Sequence, residues 1–484
     1  MLQTLHVLSA FGYKKYHERI SIKKKITEEK TINRLEKNFM KPPKVLLINP
    51  GSDCVVNDRL EQNLGLAYIS SYLRKNEIRS DILELTGKRD IKEELEKKID
   101  YEIYGISVYS TSIKRTVEII NFIRQNHNNP YIIVGGPHVT ALPEESLNEL
   151  DADVAVKGEG EKIMLEIVGR YNSGNKIYGV MQSKDYPINN LDILPFPDRE
   201  SVDLKSFNRK FNGEPVISML TSRGCQNKCL HCNSVVMGNN SDLKVKVRFR
   251  SVGNIIGEIR HLKSLGYHSI RFNDDNFTAN PALAELLTEI EKDNIKFWIF
   301  SHIENLTEKN VELLYRAGCG FITIGLESLN PENLAFLRKT NNLTCLENLN
   351  NVKKLNDTEK SGGDLKITLR SSFMVGLPFD TDETIRQYFG EAEKLYFHEF
   401  SVYPLIPYPG IEIWKNPEKY NYEIVDRNYR DYVQMGVNGK TAYTLAFNGK
   451  NNRFTTEDVK RWQITAEKIL SESKNHMRES KKAK

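Results

Sequence analysis

Residues 221–233 read Thr-Ser-Arg-Gly-Cys-Gln-Asn-Lys-Cys-Leu-His-Cys-Asn, and their spacing governs the reading of the rest of the chain. Cys225, Cys229 and Cys232 form C-x3-C-x2-C with no fourth cysteine close behind. Three thiolates in one short loop can hold three corners of a cubane iron–sulfur cluster. An electron-transfer cluster normally has four protein thiolates, so the fourth iron here would be open to a ligand. A closed structural zinc site is the competing use of Cys229 and Cys232. It needs four ligands, usually as two pairs, and no partner pair follows downstream.

The same loop sits at the head of a repeating pattern. Val216–Thr221 is an apolar run that delivers the cysteines. Ser269–Phe272 ends in Asn273-Asp274-Asp275-Asn276, and Lys296–Phe300 ends in Ser301-His302. Phe321–Ile324 ends in Gly325-Leu326-Glu327-Ser328, and Ile367–Val375 in Gly376-Leu377-Pro378. Phe400–Leu405 ends in Pro407-Tyr408-Pro409-Gly410. Helix-period stretches, such as 252–265 and 282–292, separate these runs. Six strand–helix units predict a partial (β/α)6 barrel over 214–415, with its chemistry at the carboxyl ends of the strands. Every polar motif above falls at such an end.

An earlier series occupies 42–180. Apolar runs at 44–48, 82–85, 104–108, 131–134 and 154–156 alternate with helical stretches, which predicts a parallel, doubly wound α/β sheet. Ligands bind such sheets beyond the carboxyl ends of the strands. Asn49-Pro50-Gly51, Ser107, Gly135-Gly136-Pro137-His138-Val139-Thr140 and Gly158-Glu159-Gly160-Glu161 fall there. Residues 181–213, with Leu191-Asp192-Ile193-Leu194-Pro195-Phe196-Pro197, read as a proline-rich linker. Residues 1–41 are a charged extension, and 416–484 a small C-terminal extension. In the latter, Tyr420, Tyr422, Tyr429 and Tyr432 are aromatics whose default role is packing. Trp462, Ile464, Ile469 and Leu470 mark an amphipathic terminal helix.

A chain of 484 residues needs two or three cores. Its 39% hydrophobic and 27% charged residues suit an ordinary globular protein, and a net charge of +5 gives no reason to expect nucleic acid. Six cysteines, three of them scattered as Cys54, Cys319 and Cys345, do not make a disulfide framework. Reduced thiols point to a reducing, cytoplasmic location. No run reaches the roughly 18 apolar residues of a membrane helix, and the N-terminus lacks a signal-peptide core.

The cysteine motif resembles the signature of radical S-adenosylmethionine enzymes, C-x3-C-x-aromatic-C, with His231 in the aromatic place beside the adenine. The G-G-P-H-x-T and G-E-G-E turns resemble those of the cobalamin-binding domain that precedes many such enzymes. The L-D-x-L-P-x-P string occurs at the same junction. The resemblance spans about 43–415. It implies a [4Fe-4S] cluster on Cys225, Cys229 and Cys232 with S-adenosylmethionine on the open iron, and cobalamin near Ser107, Gly135, Gly136, Gly158 and Glu159. It places His138 along the cobalamin nucleotide tail. The D-x-H-x-x-G loop that carries the cobalt-ligating histidine is missing, so cobalt would lack a protein ligand.

In the barrel the resemblance gives Asp274 and Asp275 contacts to the S-adenosylmethionine amino group or to substrate, with helix capping as the plainer alternative for one of them. Glu327 would accept from the ribose hydroxyls. Arg370 would hold the methionine carboxylate, unless it is paired structurally. Gly376 would open a turn packed on adenine, unless the turn is an ordinary one, and the role of His302 is open. The expected activity is methylation of an unactivated carbon. A 5′-deoxyadenosyl radical would abstract hydrogen, and methylcobalamin would supply the methyl group to a small-molecule, lipid or peptide substrate. The electron would come from a flavodoxin or ferredoxin. Radical cyclisation or rearrangement shares the same cofactor sites, and a cobalamin or redox sensor is a further alternative. RNA methylthiolation would call for a second N-terminal cysteine set, where only Cys54 stands.

Overall fold

In the computed structural model, residues 43–52, 57–88, 90–98, 100–238, 247–339, 341–357, 366–424, 445–447 and 454–482 are described. The extension 1–41, Cys54, Tyr429 and Tyr432 lie outside them.

The first sheet contains β1 (Val45–Asn49), β2 (Ser80–Glu84), β3 (Ile103–Ser107), β4 (Tyr131–Gly135), β5 (Val154–Lys157) and β6 (Gly179–Gln182). All pairs are parallel and the order is β2-β1-β3-β4-β5-β6. The inner strands β1, β3, β4 and β5 are apolar on both faces because helices cover both. Helices 64–75 and 161–172 pack on one face around Leu66, Leu73, Ile163 and Ile167. Helices 91–96 and 113–126 pack on the other around Leu95, Ile113, Ile119 and Ile123. The chain order reverses at β1 and β3, which places a crevice at their carboxyl ends.

The remaining strands are β7 (Lys210–Phe211), β8 (Glu214–Met219), β9 (Ser222–Arg223), β10 (Arg248–Phe249), β11 (Ser269–Phe272), β12 (Lys296–Ser301), β13 (Cys319–Glu327), β14 (Thr368–Val375), β15 (Glu399–Pro404), β16 (Tyr422–Ile424) and β17 (Leu445–Phe447). The second large sheet runs β15-β14-β13-β12-β11-β8-β7. Its six long strands are mutually parallel, as the sequence led us to expect. The short β7 was not anticipated. It pairs antiparallel with β8 through Asn212-Gly213, whose φ values of 49° and 85° give the left-handed corner that an Asn-Gly hairpin favours. Side chains alternate across this sheet. Ile270, Phe272, Ile299, Ile322, Ile324 and Leu369 face the helices, and residues one position away line the concave face.

The stretch expected to be a linker is a packed seam. Leu191 and Leu194 are buried against Leu64 and Tyr68. Arg199 is 5% exposed and donates to Gln62 Oε1 at 2.8 Å and to the Ser218 carbonyl at 2.6 Å. The terminal helix Thr456–Lys482 buries Val459, Trp462, Ala466 and Leu470, while Ile464 is 67% exposed. Ile464 therefore does not belong to the apolar stripe in which the sequence pattern placed it. Tyr422 is a core residue, 2% exposed, and donates to the Gly376 carbonyl. Among the described residues no helix is long and apolar enough to cross a membrane.

Candidate active site at the junction of the two sheets

The cysteine loop hangs from the β9–β10 ribbon at the mouth of the second sheet. Its base is pinned by Asp274, which follows β11 and accepts from the Thr221 amide and hydroxyl, each at 3.0 Å, and from the Ser222 hydroxyl. Asp274 is 1% exposed, and burial lifts its carboxyl to about 6 against the pull of these donors. A carboxylate so enclosed holds the loop and has no face left for a ligand. Asp275 differs. It accepts from Ser234 Oγ at 2.6 Å and borders an open cavity.

Cys225, Cys229 and Cys232 are free thiols. Burial raises the Cys225 thiol and takes Cys229 up to about 11, and each of the two also feels Cys232. The loop is tied down by the Leu230 amide donating to the Leu337 carbonyl, at 3.2 Å, and by the Cys232 amide donating to Cys229. Among the described residues no three His, Cys, Asp or Glu side chains are drawn together as a closed metal site. An irregular loop carrying three neighbouring thiols suits a cluster that gathers them, and a three-thiolate donor set suits iron–sulfur rather than closed zinc.

Behind the loop stands a buried ion pair that sequence reading saw only in half. Glu327 ends β13 in a left-handed conformation, φ 66°, after a register shift at Gly325/Glu327. Its Oε1 lies 3.0 Å from Lys339 Nζ and 3.8 Å from His231 Nε2. Burial alone would raise this carboxyl, but the Lys339 ammonium holds it below its ordinary value. Lys339 reaches the site because Arg338 caps the helix 331–337 in a left-handed turn, φ 63°. The lysine also donates to the Gly325 carbonyl at 2.8 Å. A Cβ on Gly325 would overlap the Glu327 carboxylate and come within 3.0 Å of Lys339 Nζ, so the glycine of Gly-Leu-Glu makes room for the pair. His231 is largely enclosed, its side chain 16% exposed, and the loss of solvent lowers its imidazole to about 4 and keeps it neutral. His302 is likewise taken down to about 4 by burial, and both its ring nitrogens lie near Asn227 Nδ2.

Two residues expected near S-adenosylmethionine have structural partners of their own. Arg370 is in the first half of β14, where it pairs with Glu399 at 2.9 Å. The β14 partner of Glu327 is Phe373, three residues further on, which sets Arg370 about 10 Å below the mouth at roughly 3.3 Å per residue. Gly376 has φ 81°, and a Cβ there would lie 3.2 Å from Val459. Its turn packs on the terminal helix.

A cavity of about 770 Å³ lies between the sheets, within the ~300–1,000 Å³ usual for cofactor sites. It is lined by Ser107, Gly135, Gly136, Gly158 and Glu159 from the first sheet and by Arg223, Gly224, Asn233, Asn273 and Asp275 from the second. Its described lining contains no histidine. His138 is 2% exposed, and its Nδ1 lies 3.0 Å from Ser110 Oγ, so it is not part of that lining. Gly136 adopts φ 100°, and a Cβ would come within 2.9 Å of the Val108 amide. The turn therefore presents bare backbone to the cavity because nothing larger fits. Gly136→Val is expected to cost roughly 2–5 kcal/mol by adding backbone strain to overpacking, read as the urea midpoint of the full chain. An unchanged midpoint would contradict this geometry.

Glu159 lines the cavity, yet its carboxylate is taken by Arg223 at 2.9 Å and Arg248 at 2.7 Å. Burial would raise it, but these guanidiniums hold it low. Arg223 also meets Glu161 at 2.6 Å. The Gly-Glu-Gly-Glu turn is thus a clamp between the two sheets, closing on the strand pair from which the cysteine loop hangs. Arg223, Arg248 and Lys339 were not among the residues expected from the sequence. Arg223 stands in the quoted motif itself, two residues before Cys225.

Comparison with known proteins agrees with this geometry. Residues 56–168 match the B12 binding domain and residues 219–392 the radical SAM superfamily. An uncharacterized methyltransferase of Pyrococcus horikoshii is 27% identical over 419 residues, covering 82% of this chain and 87% of its own. The bacteriochlorophyllide d C-12(1)-methyltransferase of Chlorobaculum tepidum is 27% identical over 320 residues, 64% of each chain. The radical S-adenosylmethionine methyltransferase TsrM of Kitasatospora setae, solved with tryptophan and an S-adenosylmethionine analogue, superposes with a TM-score of 0.68 at 17% identity over 89% of each chain. The same protein has been solved with cobalamin and a [4Fe-4S] cluster bound; that structure gives a TM-score of 0.60 at 18% identity, over 81% of this chain and 84% of its own.

Proposed function

We propose, from the premise that this chain belongs to the cobalamin-binding radical S-adenosylmethionine enzymes, that it methylates an unactivated carbon. The observation that carries the reading is the shared chamber. Gly224, Asn233 and Asp275, next to the three thiols, border the same cavity as Gly135, Gly136 and Gly158. When bound, the cluster with S-adenosylmethionine supplies a carbon-radical initiator, and cobalamin supplies a methyl group.

In this reading Cys225, Cys229 and Cys232 hold the cluster. Glu327, fixed by Lys339, accepts hydrogen bonds from the ribose. His231 lays a neutral flat ring beside the nucleoside. Asp275 faces the chamber and is available to the amino group or to substrate. Ser107 and the bare backbone of Gly135, Gly136 and Gly158 would hold cobalamin. The Glu159–Arg223–Arg248 clamp ties the domain that would hold cobalamin to the strand pair that carries the cysteine loop. A flavodoxin or ferredoxin is the class of reductant suited to the cluster.

The test is incubation of the reconstituted protein with trideuteromethyl S-adenosylmethionine, cobalamin and reductant. The reading predicts labelled methyl recovered with cobalamin, together with 5′-deoxyadenosine. Unlabelled cobalamin would contradict methyl transfer and favour ring formation or rearrangement. A second expectation concerns cobalt. With no histidine in the described lining, the electron paramagnetic resonance spectrum of bound cob(II)alamin should lack axial nitrogen splitting. Splitting from a histidine nitrogen would contradict it.

A further inference from the structure

The concave face of the second sheet carries more positive charge than its own carboxylates answer. Arg271 on β11 and Arg370 on β14 point inward, and Arg209, just before β7, leans over the same surface. Their side chains are 13%, 34% and 13% exposed. Among the described residues, two carboxylates pair with them. Glu399 is 43% exposed at the rim. Glu61 enters from the first domain and reaches Arg271 at 2.5 Å, Arg209 at 3.7 Å and Asn273 Nδ2 at 3.1 Å. All three arginines keep a buried Nε–H without a hydrogen-bond partner among the described residues. Between them lies an aromatic floor. Arg209 and Arg271 stand 5.3 and 5.2 Å from the Trp298 ring, Arg271 5.0 Å from Phe300, and Arg370 5.6 Å from Phe321. Trp298 and Phe321 are themselves 4.4 Å apart.

Guanidinium forks recognise planar oxyanions, and aromatic faces take flat apolar bodies. Glu61 also borders the cofactor chamber, so the arginine floor and the chamber meet at this residue. We propose that this face is the substrate site and that it selects a molecule carrying a carboxylate or phosphate on a flat apolar body. Glu61 holds the place of that oxyanion until substrate arrives. The assignment rests on the reading of the chain as a radical methyltransferase. It orients the substrate with its anionic end on the floor and its reacting carbon toward the cysteine loop.

The experiment is calorimetric titration of the reconstituted full chain with 2-naphthoate, 2-naphthyl phosphate and neutral 2-naphthamide. One or both anions should bind at least about ten-fold tighter than the amide, and the order of the two anions tells carboxylate from phosphate. E61Q should tighten binding of the preferred anion about three-fold or more by removing the resident competitor. E61Q/R271Q, which leaves no stranded carboxylate, should lose the preference over the amide. Equal binding of all three probes, or an E61Q variant with unchanged or weaker anion binding, would overturn the proposal. Cleavage of S-adenosylmethionine is measured in the same preparation. Cleavage without discrimination defeats this inference and leaves the functional reading standing. Discrimination without cleavage supports the anion site while the functional reading falls.

Discussion

Alanine at any one of Cys225, Cys229 or Cys232 is expected to abolish reductive cleavage of S-adenosylmethionine and to strip most of the iron from the reconstituted protein. Ligand count sets the size of the effect. A cubane bound through three thiolates already lacks one protein ligand, and removing another leaves two irons unsupported. No fourth cysteine lies close in sequence to take the place of the lost one. Asp274 is locked onto Thr221 and Ser222, and Asp275, which borders the chamber, offers a hard carboxylate where iron–sulfur chemistry needs a soft thiolate. The other described cysteines supply the control. Cys319 is wholly buried at the start of β13, far along the strand from its carboxyl end. Cys319→Ala should cost about 1 kcal/mol as a small cavity and leave cleavage intact. Iron content and 5′-deoxyadenosine are the measurements. Undiminished 5′-deoxyadenosine from any of the three loop variants would defeat the assignment.

Glu327→Ala carries the second large effect, in two separable parts. The first is stability. Removing one member of a buried ion pair leaves the other uncompensated, at a cost of about 3–5 kcal/mol, and here the stranded group is Lys339, with a side chain 8% exposed. The double variant Glu327→Ala/Lys339→Met should recover most of that loss in a denaturant melt of the cluster-free protein. A double variant no more stable than the single would show that the pair is not the cause. The second part is binding. A carboxylate accepting from a ribose diol contributes roughly 1.5–3 kcal/mol per charge-assisted bond. S-adenosylmethionine affinity should therefore fall about ten-fold or more in both variants. Affinity restored along with stability in the double variant would remove Glu327 from the nucleoside site.

The contrast between Glu327 and Lys339 shows where the sequence stops speaking. The strand-then-polar-turn rhythm was legible because parallel α/β sheets write it as alternating periods, and it placed both sheets and the cysteine loop. Glu327 was visible as the polar end of an apolar run. Lys339 lies twelve positions later, past a helix, and only the left-handed cap at Arg338 turns it back. Its arrival is a tertiary event with no local period. The surroundings of Asp274, His138 and Gly376 were hidden for a related reason. Each stands in a recognisable turn, but the partners that occupy it, Thr221, Ser110 and Val459, come from other segments. Arg370 is different. Its place near the start of an eight-residue strand was readable, and counting from Val375 would have set it on the floor of the sheet rather than at the mouth. The clamp on Glu159 was half-written in the sequence as Gly-Glu-Gly-Glu. Its other half, Arg223 and Arg248, meets only when β9 and β10 pair.

The central claim is that three cysteines leave one iron open and that S-adenosylmethionine closes on it. Pulsed electron–nuclear double resonance on the reduced cluster tests this most directly, using S-adenosylmethionine labelled with nitrogen-15 at the amino group and oxygen-17 at the carboxylate. The account predicts hyperfine coupling to both labels in the reconstituted protein. A reduced cluster that couples to neither label while S-adenosylmethionine is bound would contradict it.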